Sequence, residues 1–226
     1  EFGDVDWETP QALDLSMINE HLARLIAVEE VLLPYYDFRT SQRQDNVTPM
    51  QDGEDDVLLI DSLHGLYPAI TEDVEDERKF QLYFETLLQM KGPGGRMVRW
   101  TDLRLMRRMM RDASYRSYDP RMTLEHWHYV RSSEMRNIIP YANSTDFIVN
   151  GALSYELPVM RRRLLEPFAG WTKEYEGDPL RQDAFTRAQR VYQLLNAVAA
   201  IEEKDEEAIP PTYHLREFIG GSCYEY

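Results

Sequence analysis

The stretch Val57-Leu58-Leu59-Ile60, which ends at Asp61, is a continuous apolar run bounded by acidic residues. Such a run is typical of a strand that is buried on both faces, and strands of this kind belong to parallel sheets. Phe147-Ile148-Val149, between Asp146 and Asn150, has the same pattern, and residues 80–88 alternate enough to predict another strand. The sequence therefore predicts a mostly parallel sheet.

Helical periodicity surrounds the predicted strands. Apolar residues recur at three- and four-residue steps between residues 10 and 30, which predicts a helix there. Further helices are predicted at 101–112, where Thr101-Asp102 can cap the first turn, at 122–138, before Pro140, and at 157–165 and 181–202. Residues 35–50 are polar and irregular, which predicts a loop, and we expect the tail after Ile209 to form a strand or turn at the sheet edge. Strands that alternate with helices place the chain in the α/β class.

Composition narrows the class of protein. The chain has 226 residues, of which 43% are hydrophobic, and its 25 Lys and Arg against 40 Asp and Glu give a formal net charge of −15. A field of this sign argues against a protein that coats nucleic acid or anionic membrane. The single cysteine, Cys223, cannot form an internal disulfide, and no apolar stretch approaches the length of a membrane span. We therefore expect a cytoplasmic protein without a membrane segment.

The beginning of the chain does not resemble a natural start. Residue 1 is Glu, and the segment that follows it is neither a signal peptide nor a capped first helix. We therefore expect the chain to be a piece of a longer protein.

Arginine greatly outnumbers lysine among the basic residues, and many of the arginines lie in one segment. Only four of them are lysine, and ten of the 21 arginines lie between Arg96 and Arg136. Four lie at helical spacing on one predicted helix face, which we call the arginine stripe: Arg104, Arg107, Arg108 and Arg111. Guanidinium groups suit bidentate contact with phosphate oxygens, so the stripe indicates a polyphosphate ligand. An equally weighted alternative is a solvated face that the chain neutralises with its own carboxylates, such as Asp102, Asp112 and Glu125.

Asp61 is a candidate metal ligand because it ends the predicted strand Val57–Ile60. The carboxyl ends of parallel strands are where α/β proteins bind their ligands, and a carboxylate there can hold Mg²⁺ through water. A metal-holding carboxylate and an arginine stripe are two of the parts that phosphoryl transfer needs. The third part, a phosphate-cradling G-x-x-x-x-G-K-[ST] loop, does not occur between residues 1 and 226.

Several motifs together resemble the uridine kinase and phosphoribulokinase family of P-loop kinases. The most specific is the arginine-rich segment 101–112, TDLRLMRRMMRD, which resembles the lid of that family. The others are YDF at 36–38, LIDSLHGL at 59–66, RSSE at 131–134 with Ile139-Pro140, Asp146 with Asn150, YELP at 155–158 and LREFIGGS at 215–222. The resemblance extends over nearly the whole chain, which begins after the place where the family carries its P-loop, first helix and catalytic aspartate.

The resemblance implies roles for individual residues. Asp61 matches the acidic residue that supports Mg²⁺ and phosphoryl transfer. Glu8 falls where nucleoside kinases bind the ribose hydroxyls, and Tyr36 and Phe38 match aromatic residues that line the base. The stripe, extended by Arg116, matches lid arginines: Arg104, Arg107, Arg111 and Arg116 would bind phosphate, with Arg104 also reaching the substrate and Arg107, Arg108 and Arg111 acting in catalysis. Residues 40–42 are Thr-Ser-Gln where uridine-cytidine kinases read the pyrimidine with a His, so the acceptor stays open.

The resemblance thus implies a single kinase-like domain over 1–226, with a three-layer P-loop kinase fold and a helical lid at 101–140. It implies transfer of the ATP γ-phosphoryl group, with Mg²⁺, to a hydroxyl of a nucleoside or related small molecule. We expect residues 1–226 to be inactive without the loop that they lack. A homo-oligomer is left open. If Arg107 acts in the lid, Arg107→Ala should lower turnover far more than stability.

Two other functions stay open on the sequence alone. One is a non-catalytic module that retains the kinase core and binds only an anion or a protein partner. The other is RNA binding through the arginine stripe, which the net charge of −15 disfavours.

Overall fold

The computed structural model describes residues 9–37, 40, 42–115 and 119–224. Seven α-helices and four strands are formed by these residues. The helices are α1 Leu15–Ile26, α2 Trp100–Tyr115, α3 Pro120–Asn137, α4 Glu156–Glu174, α5 Gln182–Asn196, α6 Glu203–Glu207 and α7 Arg216–Ile219. The strands are β1 Val31–Asp37, β2 Gln42–Met50, β3 Leu82–Glu85 and β4 Phe147–Asn150. The order of elements confirms the mixed α/β class.

The chain divides into two compact units. Unit 1 contains the residues up to Tyr83 together with Ser132–Phe147, and unit 2 contains Phe84–Arg131 and Ile148–Tyr226. No composition shift or linker in the sequence indicated this division, and the single domain over 1–226 stays a prediction.

Unit 1 is built on α1. Asp14 caps the helix by accepting a hydrogen bond from the Met17 amide at 3.2 Å, so α1 begins five residues later than the predicted helix. Asn19, which is 3% exposed, donates from Nδ2 to the Leu15 and Ala69 carbonyls at 2.9 and 2.7 Å. Its Oδ1 accepts from the Asp73 amide at 3.3 Å. One amide side chain therefore ties the helix to the loop that contains residues 69–73.

The segment predicted to be a loop forms an antiparallel hairpin instead. β1 pairs with β2 from Val31 opposite Met50 to Asp37 opposite Gln42, with an irregularity between Leu33 and Tyr35. β2 is exposed over nearly its whole length, so it lacks the apolar alternation that would have revealed a strand. The β1–β2 hairpin is formed by backbone pairing, which cannot be recognised from the pattern of a polar sequence.

The predicted strand Val57–Ile60 is wrong. No strand is assigned to these residues, and Val57, Leu59 and Ile60 are 91%, 83% and 44% exposed. An apolar run becomes a strand only when neighbouring strands satisfy its backbone hydrogen bonds, and no described strand pairs with this one. The tail contains turns, as one of the two alternatives predicted, but its regular element is the short helix α7 rather than a strand.

β3 and β4 form a parallel pair, so the predicted strands are present, but the expected burial of β4 on both faces is wrong, since Phe147 and Ile148 are 59% and 46% exposed. The Phe147 amide donates to the Gln81 carbonyl at 3.3 Å, and the Gly151 amide donates to the Glu85 carbonyl at 2.8 Å. Both bonds join residues that are separated by the same number of positions, which is the pattern of parallel strands. Each sheet of the described residues has two strands.

The core of unit 2 is helical. α2 contributes Leu103, Leu105, Met106 and Met109, all 0% exposed, and the core continues through α3, α4, α5 and α7. Phe168 and Tyr175 are its largest fully buried side chains. Within the described part of the chain, no helix is long and apolar enough to cross a membrane.

Substitution of two glycines, Gly170 and Gly177, tests the backbone conformation of α4 and of the turn that follows it. Gly170 lies inside α4 with open space where a Cβ would be placed, and Gly177 lies in the following turn with φ of +78°. We expect Gly170→Ala to raise the free energy of unfolding by about 0.5–1 kcal/mol, because alanine restricts the unfolded chain and favours helix. Gly177→Ala should lower it by about 1–2 kcal/mol, because a Cβ disfavours left-handed backbone. Urea denaturation measures both, and equal effects of the two substitutions would contradict the assigned backbone.

Candidate functional site

The arginine stripe lies on α2, and each of its guanidinium groups has a carboxylate partner. Arg104 contacts Glu85 at 3.2 Å, Arg107 contacts Glu156 at 2.6 Å, Arg108 contacts Asp112 at 3.5 Å and Arg111 contacts Glu217 at 3.3 Å. The chain thus neutralises the stripe, as one of the two interpretations held. Of the three carboxylates suggested from the sequence, only Asp112 has this role.

The other two suggested carboxylates serve different arginines. Asp102, which is 1% exposed, accepts two hydrogen bonds from Arg190, at 2.7 and 2.8 Å. Glu125 accepts from the Tyr175 hydroxyl at 2.9 Å and from Arg181 at 3.0 Å. α2 is therefore joined to α5 by an ion pair, and α3 is joined through Glu125 to the segment between α4 and α5.

Arg107 forms a bidentate ion pair and is the least exposed member of the stripe. Its Nε and Nη2 donate to the two carboxylate oxygens of Glu156 at 2.7 and 2.6 Å, and Nη2 also donates to the Gly151 carbonyl at 2.8 Å. Glu156 is completely buried and also accepts from the Leu153 amide at 2.7 Å. The Phe218 ring lies 5.2 Å from the guanidinium carbon. This is a buried ion pair with nearly all its hydrogen bonds made.

His214 completes the surroundings of Arg107. Arg107 Nη2 lies 3.1 Å from His214 Nε2, and because a guanidinium group can only donate, this contact suits a neutral imidazole with Nε2 unprotonated. Burial, and then the positive charge of Arg107, lower the pKa of His214 below its usual value, while Glu156 and Glu217 offset part of that shift. The folded protein therefore favours an uncharged imidazole.

The position of α2 does not confirm the lid. A lid helix closes over a ligand from the surface, whereas α2 supplies fully buried residues to the core of unit 2. Arg104, Arg108 and Arg111 nevertheless keep 24%, 30% and 35% of their side chains exposed. Three arginines of the stripe thus reach solvent from a helix that is itself fixed.

Asp61 lies in unit 1, in an exposed segment after the run 57–60. It forms no hydrogen bond or ion pair with the described part of the chain, so its carboxylate oxygens face water. No group of three or more metal-ligating side chains occurs among the described residues.

Of the four predicted substrate-binding residues, the structure describes two, Arg104 on α2 and Tyr36 on the β1–β2 hairpin. Tyr36 lies on β1 opposite Arg43 of β2 and is half-buried. Glu8, Phe38 and Arg116 lie outside the described residues. Beside this hairpin is an open depression of about 420 Å³, whose lining residues come from α1, β1, β2 and Glu30: Met17, Glu20, His21, Arg24, Glu30, Leu32, Asp45 and Asn46. Its polar lining can accept and donate hydrogen bonds to a small polar molecule.

Sequence reasoning missed the partners of the stripe. Glu156 is 49 positions from Arg107, and Glu217 is 106 positions from Arg111. Pairs this far apart leave no spacing pattern in one sequence. The motifs YELP and LREFIGGS contained both glutamates and His214 directly precedes the second motif, but their contacts with α2 were not predicted.

The chain is similar in sequence to known proteins over the segment that contains the predicted site residues. The profile of the Phosphoribulokinase / Uridine kinase family matches residues 2–154. The uridine kinase of Bacillus pumilus (strain SAFR-032) is 25% identical over 145 residues, which are 64% of this chain and 60% of that protein. The chain thus spans about 60% of the length of that relative. All sequence-predicted site residues fall inside the family match, whereas Glu156, His214 and Glu217 fall outside it.

The buried pair changes the expectation for Arg107. Arg107→Ala would leave the Glu156 carboxylate buried without its counter-charge, so we expect the free energy of unfolding to fall by about 3–5 kcal/mol. A matched control is Arg121→Ala on α3, which removes a half-exposed contact with Glu174 and should cost about 0–1 kcal/mol. Chemical denaturation measures both. A loss at Arg107 no greater than that at Arg121 would contradict the structural role.

The lowered pKa of His214 predicts a pH dependence. Because the unfolded chain protonates His214 near pH 6.5 and the folded chain only at lower pH, the contribution is present above about pH 6.5 and is lost as pH falls below it. We expect the free energy of unfolding to decrease between about pH 7.5 and 5.5, and His214→Gln to reduce that decrease. An identical pH slope in the variant and the unmodified protein would contradict this assignment.

Proposed function

The chain belongs to the phosphoribulokinase and uridine kinase family, and from that premise we propose that the complete protein transfers the γ-phosphoryl group of ATP to a hydroxyl of a nucleoside or related small molecule. The observation that carries the proposal is the family match over residues 2–154, which includes every predicted site residue. The likeness to a uridine kinase supports a nucleoside acceptor.

The fold supports this proposal through β3, β4 and α2. We propose that the parallel pair is part of the larger, mostly parallel sheet of a three-layer kinase fold. The strands end at Glu85 and Asn150, and ligands of open α/β sheets bind at the carboxyl ends of strands. Glu85 holds Arg104 of the stripe, so one strand end and α2 are in contact.

Phosphate binding is assigned to the exposed part of the stripe. Arg104, Arg108 and Arg111 have carboxylate contacts of 3.2–3.5 Å and partly exposed side chains. Charge-assisted contacts to phosphate oxygens are the main source of stabilisation in phosphoryl transfer. We propose that Arg107 contributes to phosphate binding by holding the stripe in place. Arg116 extends the stripe within the proposed lid region 101–140.

Mg²⁺ and ATP are the cofactors of the proposal. Mg²⁺ is usually held by one or two carboxylates together with substrate phosphates, so one exposed carboxylate such as Asp61 suits it. The ion would neutralise charge that develops on the transferring group. Asp61 would hold it, and the stripe would hold phosphate oxygens.

The acceptor site is assigned to the hairpin side of unit 1. The open depression of about 420 Å³ beside β1 and β2 falls within the usual size range of small-molecule pockets, about 300–1,000 Å³, and Tyr36 is not among its lining residues. Tyr36, with Glu8 and Phe38, remains the proposed set for base and ribose. A cytoplasmic location and a homo-oligomer stay predictions.

A second function has one observation in its favour. Every member of the stripe already has a carboxylate partner, which suits a protein that retains the kinase core without turnover. In that case the chain would bind an anion or a partner protein only.

The decisive experiment uses the protein expressed from its complete natural gene. We expect transfer of labelled phosphate from Mg-ATP to at least one nucleoside, tested with uridine, cytidine, adenosine and guanosine. Asp61→Asn should lower kcat about a hundredfold or more without altering stability, because the side chain is exposed and unpartnered among the described residues.

Asp55→Asn is the matched control. It removes the same charge from another exposed site of the same segment, and we expect its kcat to equal that of the unmodified protein. Absence of transfer to every nucleoside would reject the kinase proposal in favour of the non-catalytic module. Equal kcat in the two variants would reject the role of Asp61 alone.

A further inference from the structure

Arg107 and Arg111 belong to the same stripe but are satisfied very differently. Arg107 donates two short hydrogen bonds to Glu156 and one to Gly151, and its side chain is only 10% exposed. Arg111 makes one contact with Glu217, at 3.3 Å, and its side chain is 35% exposed. Its Nε is buried and has no hydrogen-bond partner in the described part of the chain.

The Arg111 Nε, which has no partner among the described residues, is buried, so the part of Arg111 that a ligand can reach is the exposed 35% of its side chain. A guanidinium group has five N–H donors in a planar fork, and a buried donor without a partner is energetically costly. A phosphate group presents several oxygens to that fork and can engage two donors at once. One carboxylate oxygen at 3.3 Å is therefore a weaker partner for Arg111 than a phosphate would be.

α7 has anchoring contacts that do not involve the Glu217 side chain. The helix is held by Leu215 and Phe218, which are 0% and 8% exposed. Arg216 adds hydrogen bonds to the Ile209 carbonyl and the Glu206 carbonyl. The Glu217 side chain is 24% exposed, so its carboxylate has a route to solvent.

We propose that Glu217 is an internal competitor for Arg111, whose carboxylate occupies the guanidinium group until the phosphate oxygens of a polyphosphate ligand replace it. The inference rests on the proposed phosphate role of the stripe and adds its regulation. Glu217 lies outside the family match, so this control belongs to the segment after residue 154. Glu156 is fully buried and bidentate on Arg107, so it does not exchange in this way.

The test measures the Kd of inorganic tripolyphosphate for the complete protein, without nucleoside. We expect Glu217→Gln to bind about three- to fivefold more tightly, which is the size of a half-exposed ion pair that no longer competes. Glu217→Asp should also tighten binding, because the shorter side chain retracts from Arg111 while the net charge is unchanged. Glu207→Gln is the matched control, since it removes the same charge from an exposed site of α6 and should leave Kd nearly unchanged.

Arg111→Gln identifies the group for which Glu217 competes. In that background, the added Glu217→Gln substitution should no longer tighten binding. Equal tightening by Glu217→Gln and Glu207→Gln would overturn the proposal, as would a gain that persists without Arg111 or absence of tripolyphosphate binding in every variant. Because no turnover is measured, a protein that binds tripolyphosphate as expected but phosphorylates no nucleoside would reject the kinase function and leave this inference intact.

Discussion

The buried pair of Arg107 and Glu156 is the interaction on which the arrangement of unit 2 depends. It joins α2 to the first turn of α4, and the same guanidinium group reaches the carbonyl of Gly151 directly after β4. A charge buried at this depth is tolerated only with nearly complete hydrogen bonding. α2 therefore has little freedom to move while the rest of unit 2 keeps its packing.

This constraint separates two uses of arginine on one helix. Arg107 has a structural role in a buried ion pair. Arg104, Arg108 and Arg111 are partly exposed, and their contacts with carboxylates are 3.2 Å or longer. The carboxylates opposite them keep four guanidinium groups close together without strong mutual repulsion. Glu85 and Asp112 are themselves buried, so of the three described carboxylates that face these arginines only Glu217 is partly exposed.

The sequence predicted what local patterns can encode. α2 and α3 were placed to within about three residues of their ends because Thr101-Asp102 can cap a helix and Pro140 stops one. β4 was placed from its apolar run, although it is not buried on both faces. The run 57–60 shows the limit of that reasoning, since its composition suits a strand but the described chain offers it no pairing partner. The β1–β2 hairpin is the opposite case, because its polar sequence shows no strand pattern and yet its strands pair. The partner of Arg111 could not be predicted, because residues 106 positions apart share no local pattern.

The same separations have a consequence for synthesis on the ribosome. The carboxylate for Arg107 follows 49 residues later, the arginine for Asp102 follows 88 residues later, and the carboxylate for Arg111 follows 106 residues later. At elongation rates of about 5–20 residues per second, Arg111 would wait about 5–20 seconds for its partner. During that interval the nascent α2 carries charged groups whose native counter-charges have not yet been made. The contact between Arg111 and Glu217 can therefore form only after the segment that contains α7 has been synthesised.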